Sequence, residues 1–208
     1  MGVNPLPLPE FDVDPLTGLG THRAFASKLE HALAETAHSC TQVAVLIMDL
    51  DGMYRFNQEH GHDAGDAALR IIARRLREIA PHEGVYRLGG DEFGIIHQGI
   101  QVRQEAVSLA DRILRQVKVE FGVPEPPEGA TDFGRLHLAC TVGIALSTGG
   151  STLDRLIGEA DWAMQFGKAK YGVRFGSLEP SKSGDQYVVF DDLRPEQVGP
   201  HLSTDTGA

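Results

Sequence analysis

Cysteine is nearly absent. Cys40 and Cys140 are the only two in 208 residues, far apart and outside any Cys-x-x-Cys spacing, which excludes a disulfide framework and a thiolate zinc site. Long apolar runs are missing too. No window reaches the roughly 20 apolar residues that a membrane-spanning helix needs. The proline-punctuated first ten residues have neither the basic start nor the apolar core of a secretory leader. No membrane partner is expected, and the cytoplasm is the default compartment. Positive charge is in short supply: 19 Lys and Arg stand against 29 Asp and Glu, a formal net charge of -10. Such a surface repels a phosphate backbone and argues against DNA or long RNA as a partner. It still permits a small anion held by a metal and a few local donors. The remaining composition is that of a soluble globular protein, long enough for one well-cored domain and short for two.

Residues 1–13 read as an extended lead-in. A helix is expected over 21–37, capped by Thr21, with Phe25, Leu29 and Leu33 on one apolar face. The run VAVLIMDL at 43–50 reads as a strand buried on both faces. A short helix begins near Met53, and a longer one spans 63–80 with Asp63 as its cap and Ala67, Ile71 and Ile72 among its buried positions. Strands at 84–88 and 93–97 flank a Gly-Gly-Asp-Glu hairpin tip. A helix over 101–119, a Pro- and Gly-rich loop over 122–135, a strand over 136–147 and a helix over 153–168 follow. Residues 173–175 and 187–190 are late strand candidates, and a polar tail starts at Asp191. Hairpins and crossover helices together predict an α+β fold, a mixed sheet with flanking helices.

Two acidic pairs carry the chemistry. Asp49 and Asp51 end the most apolar strand, and the strand period of two sends both to one face. Asp91 and Glu92 follow Gly89 and Gly90, which allow a ligand close to the backbone. If strand and hairpin are neighbours, Asp49 and Asp91 converge, and carboxylates with a backbone carbonyl and phosphate oxygens suit Mg²⁺. Either motif alone reads as ordinary turn chemistry; their combination in this order points to a site. His60, Gly61, His62 and Asp63 read as a turn between helices rather than a metal cluster, and Trp162 with Phe166 as packing. Asp161, on the helix face of Lys168, either orients that lysine or is a solvated or core-edge acid.

The segment RLGGDEF at 87–93 resembles the signature of GGDEF-domain diguanylate cyclases. The resemblance extends to Asp14-Pro-Leu-Thr-Gly-Leu19 with Arg23 and Phe25, and to Asp49 and Asp51 followed by Asn57 and by GHDAGD at 61–66. It continues through TVGIA at 141–145 to Ala160, Asp161 and Lys168, covering about residues 12–175. It implies a palm-like fold with a ferredoxin-like core over 14–178, followed by an acidic, partly flexible extension over 179–208. It implies a diguanylate cyclase that joins two GTP across a homodimer. Asp49, the carbonyl of Leu50 and Asp91 would hold Mg²⁺, with Mn²⁺ as an alternative, and Asp91 and Glu92 would be catalytic. Gly89, Gly90, the N–H groups near Met53 and Tyr54, and Lys168 would receive the triphosphate. Asn57 and Asp66 would read guanine, a carboxylate accepting from N1–H and the 2-amino group. Without the family spacing, Asp66 is an acid in a first helical turn and Asn57 a polar residue at a helix end.

The chain departs from that pattern in places. Ala80-Pro-His-Glu83 lacks the arginine of the product-inhibition motif, which argues against feedback through it. Tyr54 replaces a phosphate-facing lysine, Gln165 a tyrosine, and Lys170-Tyr-Gly-Val-Arg174 the usual Gly-Arg-Asn. No sensor domain or long coiled coil is recognisable, so the chain reads as an excised domain or one controlled in trans by a sensor or regulatory protein. The alternative function is a catalytically weak or inactive nucleotide-binding regulatory module.

Overall fold

The computed structural model describes residues 12–36, 39–82, 84–117, 138–171 and 187–192. The elements run α1 (His22–Thr36), β1 (Gln42–Asp51), α2 (Met53–His60), α3 (His62–Ile79), β2 (Gly84–Gly89), β3 (Glu92–Ile100), α4 (Gln104–Val117), β4 (Ala139–Leu146), α5 (Leu153–Tyr171) and β5 (Tyr187–Val189). They form a five-stranded sheet of order β2-β3-β1-β4-β5. Pairing is antiparallel except between β4 and β5, so the sheet is mixed, as the element order requires.

β1 is the centre of this sheet, and its burial follows from its sequence. Val43, Val45 and Ile47 turn to one face and pack with Phe25 and Leu29 of α1 and Leu156, Ala160 and Met164 of α5. Ala44, Leu46, Met48 and Leu50 turn to the other and pack with Phe56 of α2, Leu69 and Ile72 of α3, and Ile113 of α4. Helices therefore cover both faces, which is why 43–50 carries no polar alternation until Asp49. Asp49 and Asp51 belong to the face that α5 covers, and this brings α5 to the acidic end of the strand.

Thr21 accepts a hydrogen bond from the Ala24 amide at 3.4 Å, as its capping position requires, and Leu33 is partly buried against the α1 core. The cap of α3 is different from the expectation. Gly61, with φ 84°, occupies it, no side chain closes it, and Asp63 lies inside the first turn. The single residue joining α2 to α3 has a positive φ, which favours glycine, and glycine has no side chain with which to cap. The buried face of α3 is Gly65, Ala68, Leu69, Ile72, Ala73, Leu76 and Ile79; of the expected positions Ile72 is fully buried, while Ala67 and Ile71 are at its margin. α4 starts at Gln104 rather than 101, because the Glu105 carboxylate folds back to accept from the Gln101 and Val102 amides at 3.2 and 3.1 Å. At the other end, strand β5 and the 3₁₀ turn Phe190–Asp192 tie part of the 179–208 stretch to the sheet, and Asp192 forms an ion pair with Arg103 before α4. The loop expected over 122–135 and the strand candidate at 173–175 lie outside the described residues.

α3 and α4 end side by side. Arg112 of α4 donates to the Ile79 carbonyl of α3, and Arg75 Nη1 of α3 donates to the Gln116 carbonyl of α4 at 3.0 Å. Each helix thus supplies a cation to the other's negative end. A cavity of about 300 Å³ lies here, lined by Arg75, Glu78, Ile79, Arg112, Arg115 and Gln116. It is at the opposite end of α3 from Asp66 and away from the acidic end of β1.

Candidate active site

The site forms where β1 runs out between its two neighbours. The ladder register sets Asp49 opposite Glu92 of β3 on one side and opposite Thr141 of β4 on the other. The Leu50 amide donates to the Asp91 carbonyl at 3.2 Å, which fixes the hairpin tip against the strand end. Lys168, on α5, forms an ion pair with Asp49. Thr141 donates through Oγ1 to Asp51 Oδ2 at 3.1 Å. Asp161 lies within electrostatic reach of Glu92 and accepts from Gln165 Nε2 at 2.7 Å. Of the two readings of Asp161, the solvated or core-edge acid is the one that fits, at the edge of the core with Gln165 as its partner. It is a half-buried acid beside Glu92, partnered by the residue that replaces the family tyrosine.

Crowding raises the proton affinity of these acids. Burial pushes the Asp49 carboxyl up, and neighbouring Asp91 adds to this, while Lys168 opposes both. Burial also pushes Asp51 up to about 6, with Lys168 and the Thr141 hydroxyl opposing and Asp49 and Asp91 adding. Glu92 is raised by burial and then by Asp49, Asp161 and Asp91. Burial raises Asp161, and its bond from Gln165 opposes.

Asp49 Oδ1 is buried and is met by the Lys168 ammonium, which donates to it. A buried carboxylate oxygen is costly unless a cation meets it, and in the protein alone Lys168 is that cation. Among the described residues no three His, Cys, Asp or Glu side chains form a self-sufficient metal cage. The donor set is therefore of the open kind: one or two carboxylates and a carbonyl, with the rest of the shell left to substrate and water, which is how Mg²⁺ is commonly held.

The other expected residues fall into two groups. Gly89 and Gly90 are exposed at the hairpin tip, and Gly52 caps α2 with φ 85° and no side-chain partner. Tyr54 projects into solvent at 72% exposure, whereas the Met53 side chain is 5% exposed in the core, so only the backbone of Met53 can meet a ligand. Asn57 packs against Gly65, the residue before Asp66. Asn57 Oδ1 is buried without a donor and lies so close to Gly65 that an added Cβ would be 1.9 Å from it. Gly65→Ala should therefore displace the Asn57 amide. The expected cost is roughly 1–3 kcal/mol of stability by urea titration, with GTP affinity falling further than stability accounts for.

One connection has no counterpart in the sequence reading. The Arg87 guanidinium donates to the Gly90 carbonyl from Nη2 at 2.7 Å and from Nε at 3.1 Å. Its Nη1 meets both carboxylate oxygens of Asp14 at 3.1 and 3.2 Å. Asp14 in turn accepts from the Thr17 amide at 2.8 Å and its hydroxyl at 2.6 Å. The N-terminal turn is thereby fastened to the tip that carries Asp91. The available signal was an aspartate opening a turn with Thr three residues on; its distant partner leaves no local trace.

With this geometry in hand, comparison with known proteins is decisive. The family model described as "Diguanylate cyclase, GGDEF domain" matches residues 11–173. The chain belongs to the GGDEF family. Diguanylate cyclase TpbB of Pseudomonas aeruginosa is 30% identical over 187 residues, 88% of this chain and 41% of that protein. The bifunctional diguanylate cyclase/cyclic di-GMP phosphodiesterase MucR of the same species is 31% identical over 188 residues, 87% of this chain and 26% of that one. The chain thus spans less than half the length of these curated relatives. A solved structure of the GGDEF domain of TpbB superposes with a TM-score of 0.69 at 31% identity, covering 76% of this chain and 89% of that one. The GGDEF domain of DgcB from Caulobacter crescentus, solved with c-di-GMP, shares the fold with a TM-score of 0.72 at 21% identity, covering 88% of this chain and 98% of that one. Among the described residues of this GGDEF domain, no helix is long and apolar enough to cross a membrane.

Asp51 supplies a prediction for the protein in chelator. Its folded pKa near 6 exceeds the usual 3.8. The folded state therefore holds the extra proton, and the stability from this group is complete below about pH 4 and lost as pH rises through 6. The shift corresponds to about 3 kcal/mol at 1.36 kcal/mol per unit. Asp51→Asn should raise the melting temperature at pH 8 and flatten its fall between pH 4 and 7. An unchanged pH profile would refute the assignment.

Proposed function

We propose that this domain condenses two GTP into cyclic di-GMP and two pyrophosphates, each 3′-hydroxyl attacking the α-phosphate of the GTP on a second copy of the domain. The observation that carries this reading is the meeting of Asp49, Asp91 and Glu92 at the end of β1, with Asp49 Oδ1 buried against the Lys168 ammonium. Asp49, the Leu50 carbonyl and Asp91 would hold Mg²⁺, or Mn²⁺ in its place; when bound, the ion offsets triphosphate charge and lowers the pKa of the attacking hydroxyl.

The chain's own groups divide the remaining work. The register that sets Glu92 opposite Asp49 supports its carboxylate as acceptor of the hydroxyl proton. The free amides at the start of α2, around Met53 and Tyr54, and the open backbone at Gly89 and Gly90 suit the β- and γ-phosphates. Lys168 Nζ, paired with Asp49, is near enough to transfer to a phosphate when one arrives. Asn57 and Asp66 face guanine. One domain supplies one nucleotide, so turnover requires a homodimer, and a sensor or regulatory protein in trans would govern its formation.

A second reading has one observation in its favour: the exposed Tyr54 stands where the family carries a phosphate lysine. It is a module that binds nucleotide without turning it over. Incubating the protein at rising concentration with GTP and Mg²⁺, beside an Asp91→Ala, Glu92→Ala control, separates the two. Cyclic di-GMP whose specific rate climbs with protein concentration supports the cyclase. GTP bound with no product at any concentration leaves the regulatory module.

A further inference from the structure

Arg77 lies on the last turn of α3, exposed, and takes no part in the site described above. Its Nη2 donates to the carbonyl of Gly18. Gly18 has φ 67°, and a Cβ there would come within 3.3 Å of the guanidinium, so the close approach depends on glycine. Gly18 closes the turn that Asp14 opens, its amide donating to the Asp14 carbonyl at 2.8 Å. Asp14 holds Arg87, and Arg87 holds the Gly90 carbonyl beside Asp91. The turn is thus gripped from two sides, by Arg77 from α3 and by Arg87 from β2.

We propose that Arg77 is a positioning residue for the hairpin tip, acting through the 14–18 turn on Arg87. Leu19 is buried at 2% exposure and the Arg87 amide donates to the Gly20 carbonyl at 2.8 Å, so the turn is anchored where it joins α1. Its outer part, 14–18, is closed by the Asp14 amide on the Leu19 carbonyl and the Gly18 amide on the Asp14 carbonyl, with Leu16 packed on the core, and the two guanidinium groups join it to α3 and to the hairpin. Releasing Gly18 frees Asp14 to move, and a displaced Asp14 no longer fixes the fork of Arg87 over Gly90. The simpler role for a terminal arginine is to offset the dipole of its own helix. That role would affect the end of α3 and leave the hairpin alone.

Amide hydrogen exchange on the full chain distinguishes these roles and does not depend on turnover. In Arg77→Gln the relay predicts faster exchange at 14–19 and at 89–92, with β1 unchanged. Arg77→Lys, which keeps the charge and loses the fork, should show the same pattern more weakly and serves if the glutamine variant does not fold. Faster exchange confined to 75–80, or to 14–19 alone, overturns the proposal. The catalytic consequence rests on the cyclase reading: kcat should fall by about 3- to 10-fold with KM for GTP unchanged, and Arg77→Gln should add nothing in an Asp14→Asn background. Additive losses would overturn the relay. A wild-type protein without product would overturn the cyclase reading and leave the exchange result standing.

Discussion

Asp49→Asn should abolish turnover by at least about 10³-fold and, in chelator, make the protein more stable. The two effects have one cause. Asp49 is buried at the strand end, its carboxyl is pushed up by burial and by Asp91, and Lys168 only partly offsets this. A carboxyl whose proton affinity is raised by folding disfavours the folded state at neutral pH, where it must be ionised. Asparagine keeps the shape and removes the charge, so the melting temperature should rise above pH 7. Lys168 then turns to Asp51, whose carboxyl already feels it. On the proposed cyclase reading the same charge holds the metal at the triphosphate. Charge stabilisation at a triphosphate is worth several kcal/mol, and each 1.36 kcal/mol is tenfold in rate. A trade of stability for function is common at such sites. Chromatographic product assays and thermal melts in chelator would test both halves. A variant that keeps a tenth of wild-type turnover, or melts earlier, contradicts this account.

Much of this was legible in the sequence because the signals were local or periodic. The run at 43–50 announced a strand covered on both faces, and its two helical layers confirm the reason. The acids at 49 and 91 could be matched because a strand end and a hairpin tip have few ways to pair; the ladder sets Asp49 opposite Glu92, and the Leu50 amide is bonded to the Asp91 carbonyl. The failures have equally physical causes. Asp63 looked like a cap, but a single glycine turns the chain between α2 and α3 and takes that position. Ala67 and Ile71 lie at the margin of the helical face that α4 and the sheet select, so they are only partly buried. The pairing of Lys168 with Asp49 in the protein alone was not read from the sequence, because it joins a strand end and a helix far apart in the chain. The grip of Arg87 on Asp14 spans 73 positions in sequence, and no pattern of period two or 3.6 encodes a contact between distant loops.

The proposed guanine contacts of Asn57 and Asp66 offer a test independent of the metal. α2 and α3 meet closely at Gly65, where Asn57 Oδ1 is buried without a donor and Asp66 is half-buried one residue on. Guanine presents N1–H and a 2-amino group as adjacent donors, and a carboxylate can accept both, whereas adenine offers no such pair. A site built around acceptors rejects a ligand that leaves them unpaired, on the order of 10⁴-fold in favourable cases. Asp66→Asn replaces one acceptor by a donor that opposes a guanine N–H. The affinity for GTP should fall by roughly 10²–10³-fold, and the preference for GTP over ATP should shrink to about tenfold. Inosine triphosphate, which lacks the 2-amino group, should bind the wild type more weakly than GTP and the variant about as well as GTP does. The metal residues are untouched, so Mg²⁺-dependent binding of the triphosphate itself should persist in the variant. Calorimetry with non-cyclising analogues of the three nucleotides gives each constant. If Asp66→Asn binds GTP as tightly as the wild type, the helix-dipole role of an acid in the first turn of α3 is sufficient, and guanine is read elsewhere.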